Sequence, residues 1–193
     1  MGERWDARRE QIFSVGARLF AEKGYERTSL QEVADLLGVT KPALYYYYPS
    51  KEQLLFEIMS FVMDRVLADI TEVADSTLSP YDKLRELVGR YVGFFSARPH
   101  EHTIMSTEVD SLGPELRGIV LNRQRLYLTF IRRIVSELVP PESQLDGTSV
   151  AFALLGGMNW LFKWYDPAGR ITPEKLAEDF VRIYAYGLLG EGR

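Results

Sequence analysis

The chain has no cysteine, which removes disulfide bridges, thiolate nucleophiles and cysteine-ligated metals at the outset. It has only two histidines, His100 and His102, and on a helix a spacing of two turns side chains about 200° apart, unlike the four-residue spacing of helical zinc ligands. Neither a glycine-rich phosphate loop nor a nucleophile elbow is present, so those nucleotide-binding and hydrolase chemistries lack their residues. No apolar run approaches the roughly 18 residues that span a bilayer. The amino terminus, MGERWDARREQIF, is charged and polar and carries no signal-peptide pattern. A cytoplasmic protein with no membrane contact, no cofactor, no metal and no catalytic site is expected. Sustained alternation of the kind that marks β-strands is also missing.

What remains is ample for folding. Of 193 residues, 46% are hydrophobic, enough for one large or two small cores. Apolar residues recur three and four positions apart, which implies an all-α fold of about nine helices. The first runs from about Asp6 to Lys23, buries Ile12, Gly16, Leu19 and Phe20, and stops at Gly24. Ser29 and Glu32 form a capping box for a second helix that ends at Gly38. Thr40 opens a third, with Pro42 in its first turn, and Pro49 stops it. Ser50 and Gln53 open a long fourth helix with a stripe of Leu54, Ile58, Phe61 or Val62, Val66, Ile70 and Val73. Further helices are expected over about 80–97, 99–110, 113–138, 146–165 and 173–189, punctuated by Pro99, Gly113-Pro114, Pro140-Pro141 and Asp166-Pro167.

Net charge is −4, yet residues 1–51 hold eight Lys or Arg against seven Asp or Glu, leaving −5 for the remainder. The gradient is small but has the sign that suits an anionic partner for the amino-terminal quarter. That quarter also contains four consecutive tyrosines, Tyr45 to Tyr48. Successive helical side chains diverge by about 100°, so four in a row cannot share one core. With Leu44 and Tyr48 facing inward, Tyr46 and Tyr47 turn outward beside Lys41 and Pro42. Two short helices joined through GVT form a helix-turn-helix, which presents its second helix to the DNA major groove.

Residues 20–55, FAEKGYERTSLQEVADLLGVTKPALYYYYPSKEQLL, closely resemble the DNA-binding segment of TetR-type (tetracycline-repressor-like) bacterial regulators. In those proteins a glycine-aromatic pair precedes a Thr-rich turn, and an aromatic cluster ends the recognition helix before Ser-Lys-Glu. Tyr46 departs from the family, which often has histidine there, and so does Pro42-Ala43. These positions concern which operator is bound. The resemblance implies that Thr28, Ser29, Tyr47 and Lys51 hold phosphates and that Thr40, Lys41, Pro42, Ala43 and Tyr46 face the groove floor. Tyr45 is divided between packing and DNA contact. Lys41 suits a guanine edge, while Pro42 and Ala43 suit thymine methyls.

Downstream, VAFALLGGMNWLFKWY is apolar on nearly every face and must be covered on both sides. Val150, Leu154, Gly157, Leu161 and Trp164 or Tyr165 can face the interior, with Ala153, Gly156, Trp160 and Lys163 elsewhere. The last helix divides likewise into Phe180, Ile183, Tyr184 and Gly187 against Ala177, Val181, Ala185 and Leu188. A homodimer built from these two helices follows. Its recognition helices, about 34–36 Å apart, would meet successive major grooves of a near-palindromic double-stranded operator. The segment GGMNWLFKWYDPAGRIT also resembles TetR-type repressors that answer acyl-coenzyme A thioesters. That likeness implies an elongated pocket drawing on Phe94, Phe95, Tyr127, Phe130, Asn159, Trp160, Trp164 and Tyr165, with Arg123 or Lys163 near its mouth. Arg123 interrupts an apolar stripe and must find an anion, either a carboxylate such as Glu108 or Asp110 or an anionic ligand. The expectation is a ligand-responsive transcriptional repressor, with residues 1–51 binding DNA and 52–193 binding effector and dimerising. The alternative class is a helical small-molecule-binding or metal-dependent enzyme with no DNA role.

Overall fold

The computed structural model describes residues 2–189, with side chains described from Arg8 to Gly187. Among the described residues there are ten α-helices, one short 3-10 turn and no strand. Two compact units emerge, one comprising residues up to Met63 together with Pro99–Leu121, the other Asp64–Arg98 together with Asn122 onward.

In the first unit, α1 (Gly2–Lys23) ends at Gly24, whose φ of 87° places it in the left-handed region that favours glycine. The Ser29–Glu32 capping box starts α2 (Leu30–Leu37), and Gly38, at φ 63°, closes it. Thr40 stands at the amino-cap of α3 (Lys41–Tyr47), but its hydroxyl makes no capping bond, and Pro42 supplies the pre-set turn instead. α4 (Lys51–Asp75) opens with Ser50 Oγ accepting from Gln53 N at 3.0 Å. Gln53 Nε2 meanwhile donates to Glu57 Oε1 at 3.0 Å. Phe20, Leu44, Leu54, Leu55, Ile58 and Met59 are almost wholly buried and share a core to which α6 (Pro99–Thr107) adds Ile104. Leu112, just past the 3-10 turn Val109–Ser111, and Val120 of α7 (Pro114–Ser136) complete it.

The second unit contains the later residues of α4 and α7 with α5 (Pro80–Ser96), α8 (Gly147–Asn159), α9 (Leu161–Trp164) and α10 (Pro173–Leu189). The single helix expected over 146–165 is broken at Trp160. Gly156 and Gly157 weaken the last turn of α8, and Trp160 N closes it on Gly156 O at 3.1 Å. The facial division otherwise matches the sequence pattern: Val150, Leu154 and Leu161 are buried while Ala153, Gly156, Trp160 and Lys163 are exposed. On α10, Ala177, Val181 and Ala185 are buried, Phe180 and Tyr184 are half-buried, and Ile183 and Gly187 are exposed. The side chain of Leu188 lies outside the described residues.

Two kinds of glycine follow from the packing. A Cβ at Gly16 would sit 3.1 Å from Ile58 Cδ1 and 3.3 Å from Leu54 Cδ2, whereas one at Gly89 meets nothing within 4 Å. Gly16→Val is expected to cost about 1–3 kcal/mol, and Gly89→Ala, in the body of α5, to gain about 0.5–1 kcal/mol, both read by thermal or urea melting. His102 is buried, which lowers its pKa to about 4. The unfolded chain therefore binds the extra proton, and stability should fall as pH drops from about 6.5 to about 4, with roughly 1.4 kcal/mol per unit as the ceiling. His102→Gln should flatten that part of the melting-versus-pH profile.

Candidate nucleic-acid interface and effector cleft

α3 is held by two residues one turn apart. Leu44 is fully buried and Tyr48 is 5% exposed, its ring edge-on to Phe13 at 6.0 Å. Burial pushes the Tyr48 phenol up to about 12, so it remains a neutral hydroxyl. The residues between them face out, and Tyr46 is 81% exposed. Tyr46 and Tyr47 meet edge to face at 5.0 Å, and the Lys41 ammonium lies 5.3 Å from the Tyr45 ring centre. Thr40, Pro42 and Ala43 are exposed on the same short helix and its cap. The result is a small platform of one cation, three aromatics and two compact apolar residues, able to hydrogen-bond a base edge, stack, or contact a methyl group.

The expected phosphate holders are placed less simply. Thr28 is buried, and its hydroxyl is shared between Leu19 O at 3.2 Å and Gly24 O at 3.0 Å. The expectation that it holds a phosphate is corrected, because those carbonyls at the end of α1 already take its proton. Ser29 is exposed, but its N–H and hydroxyl both donate to Glu32 Oε2, at 2.8 and 3.0 Å. Glu32 is held down to about 2, first by the Lys23 ammonium at 2.7 Å and then by Ser29. The amino terminus of α2 is thus already occupied by a carboxylate. Lys51 donates to Tyr25 O at 2.8 Å and Glu26 O at 3.3 Å, with its ammonium 4.1 Å from the centre of the Tyr25 ring. Sequence reading missed this internal role, for which only an unremarkable Gly-Tyr-Glu turn gives any signal.

In the second unit, α4, α5 and α7 enclose a narrow cleft. Ile70, Leu87, Phe94 and Tyr127 form its apolar wall, and Asp69 and Arg90 its polar edge. Arg90 grips Glu72 through both terminal nitrogens at 3.0 Å, with Glu86 at 3.4 Å and Asp69 at 3.9 Å. Tyr91 donates to Asn159 Oδ1 at 2.6 Å. Burial, then the Asp69 charge, raises the pKa of Tyr127.

Of the expected lining residues, Phe94 and Tyr127 reach the cleft, Phe95 packs on Tyr91 with ring centres 4.6 Å apart, and Asn159 anchors that tyrosine. Phe130 is half-buried, and Tyr165, also half-buried, donates to Ile171 O at 3.0 Å. Trp160 and Trp164, 58% and 52% exposed, and Lys163 lie on the outside rather than at the pocket, a correction that for Trp160 and Lys163 agrees with the outward face their helical spacing assigns them. Arg123 is half-buried and its Nη1 lies 3.4 Å from Asp64 Oδ1, a charge pairing in which that nitrogen makes no hydrogen bond, while Asp110 is taken by Arg117 at 2.7 Å. Arg90 and Tyr91 were missed, although Leu87, Tyr91 and Phe94 have helical spacing and Arg90 breaks the apolar run beside them. Among the described residues, no three His, Asp or Glu side chains gather as a metal site would require, and no helix is long and apolar enough to cross a membrane.

Residues 12–58 match the family described as bacterial regulatory proteins, tetR family, and residues 77–188 match the tetracyclin repressor-like C-terminal domain. A TetR/AcrR-family transcriptional regulator from Thermobifida fusca is 33% identical, covering 97% of this chain and 100% of that one, with a TM-score of 0.71. AibR in complex with isovaleryl coenzyme A and operator DNA is 32% identical over 91% of this chain and 97% of its own, with a TM-score of 0.79. Among curated relatives, the transcriptional repressor KstR2 of Rhodococcus jostii is 27% identical, with 94% of this chain and 91% of that protein covered.

The inward Thr28 and the outward Tyr47 can be told apart. Thr28→Val should cost about 1–2 kcal/mol of stability and leave the salt dependence of DNA binding unchanged. Tyr47→Phe should cost less stability than Thr28→Val and weaken DNA binding for every sequence tested.

Proposed function

The chain belongs to the TetR family of bacterial regulatory proteins and is a ligand-responsive, DNA-binding transcriptional regulator; from that premise we propose that it is a cytoplasmic repressor, not an enzyme, released from a near-palindromic operator by an acyl-coenzyme A thioester. The observation that carries the reading is the outward platform of α3, where Tyr46 is exposed while Leu44 and Tyr48 lock the helix from behind. In this assignment residues 1–51 are the DNA-binding domain. Lys41 and Tyr46 read base edges, Pro42 and Ala43 contact thymine methyls, Thr40 faces the groove, and Tyr47 with Ser29 touches the backbone.

Residues 52–193 bind effector and dimerise. The exposed apolar residues Phe152, Trp160, Trp164, Ile183 and Tyr186 on α8, the α9 turn and α10 are the surface that a second copy covers. The effector class is supported by the isovaleryl coenzyme A bound to the AibR relative. An effector that favours one dimer conformation by about 1–3 kcal/mol lowers operator affinity roughly 5- to 150-fold.

Selection from a random DNA pool followed by fluorescence anisotropy tests the DNA assignment. Lys41→Ala should cost about 1–3 kcal/mol on the selected sequence and relax preference at one base pair. Unchanged selectivity would remove Lys41 from the readout. Titrating a series of acyl-coenzyme A thioesters into the complex should release the DNA where free coenzyme A does not. Retention throughout the series would refute the effector class and leave the DNA reading standing.

A further inference from the structure

The first turn of α4 carries two adjacent side chains that reach in different directions within the first unit. Lys51 donates to the carbonyls of Tyr25 and Glu26, in the turn between α1 and α2. Glu52 reaches forward instead, and its Oε1 accepts from Gly113 N at 2.7 Å. Gly113 immediately precedes α7, and the contact is close enough that a Cβ at Gly113 would lie 2.9 Å from the same oxygen. Glu52 is half-buried and the bond spans 61 positions of sequence, so it fixes two distant segments rather than one local turn. A carboxylate accepting a backbone N–H in such a setting makes a strong, directional bond.

We propose that Lys51 and Glu52 are positioning residues for operator binding, a two-armed bracket through which the start of α7 and the turn before α2 are held in one register. The proposal rests on the DNA-binding reading above. Neither residue needs to touch DNA. Lys51 sets the turn from which the helix-turn-helix departs, and Glu52 ties that setting to α7, the helix whose Tyr127 lines the cleft. Energetic coupling is reciprocal, so if α7 biases the DNA-binding elements, DNA binding must bias α7 to the same extent. A bond that only stabilised the fold would protect α7 equally with and without DNA.

The test compares hydrogen exchange in the full-length protein, free and bound to its selected DNA, for the wild type, Glu52→Ala, Glu52→Gln and Gly113→Ala. In the wild type, DNA should slow exchange at residues 113–121 at least threefold. In Glu52→Ala, operator affinity measured by anisotropy should fall several-fold, and at saturating DNA the DNA-dependent change at 113–121 disappears. Glu52→Gln keeps an acceptor oxygen and should retain the change. Gly113→Ala crowds the bond from the other side and should behave like Glu52→Ala, with no added effect in the double variant. A wild type that binds DNA with no change at 113–121 overturns the bracket alone, as does persistence of the change in both Glu52→Ala and Gly113→Ala. A wild type that selects no DNA overturns the regulator reading and the bracket with it.

Discussion

The architecture of the DNA-facing end depends on the burial of two side chains one helical turn apart, Leu44 and Tyr48. A seven-residue helix has too few internal hydrogen bonds to persist by itself in water. Anchoring it by its inner face fixes its axis and its rotation together. Once those are set, the outward direction of Tyr46 and the half-turned Tyr47 is decided by helical geometry. The core that receives the anchors is drawn from α1, α2, α4 and α6, so a change such as loss of Phe20 would reach the recognition surface without touching it.

Helix positions were legible in the sequence because their ends are chemically marked. Gly24, Ser29 with Glu32, Gly38 and the prolines each leave a signature that needs no tertiary context. The break at Trp160 was not legible, because paired glycines in an apolar run read equally well as close helix packing or as a weak turn. Trp160 and Lys163 lie opposite the buried Val150, Leu154 and Leu161, as the helical spacing implies, so their outward direction was legible and a place in the cleft did not follow from it.

At the candidate sites, what could be read was which way a side chain points, and what could not was which partner it takes. The outward tyrosines follow from periodicity alone. The engagement of Thr28 with Leu19 and Gly24, of Lys51 with Tyr25 and Glu26, and of Arg123 with Asp64 are pairings between segments. Apart from the four-residue back-bond of Thr28 to Gly24, no local pattern encodes them. Arg90 shows the limit most plainly, since its partners Asp69 and Glu72 stand on a different helix.

The carboxylate of Glu32 gives the α2 terminus a property beyond capping. A helix end with bare N–H groups attracts any passing anion, including the abundant phosphates of unrelated nucleic acid. Here two of that end's donors, Ser29 N and Glu32 N, are bonded within the chain, and Lys23 pairs with the Glu32 carboxylate. The protein therefore approaches DNA with its most generic adhesive partly covered, leaving more of the discrimination to the shape and chemistry of the tyrosine-bearing tip.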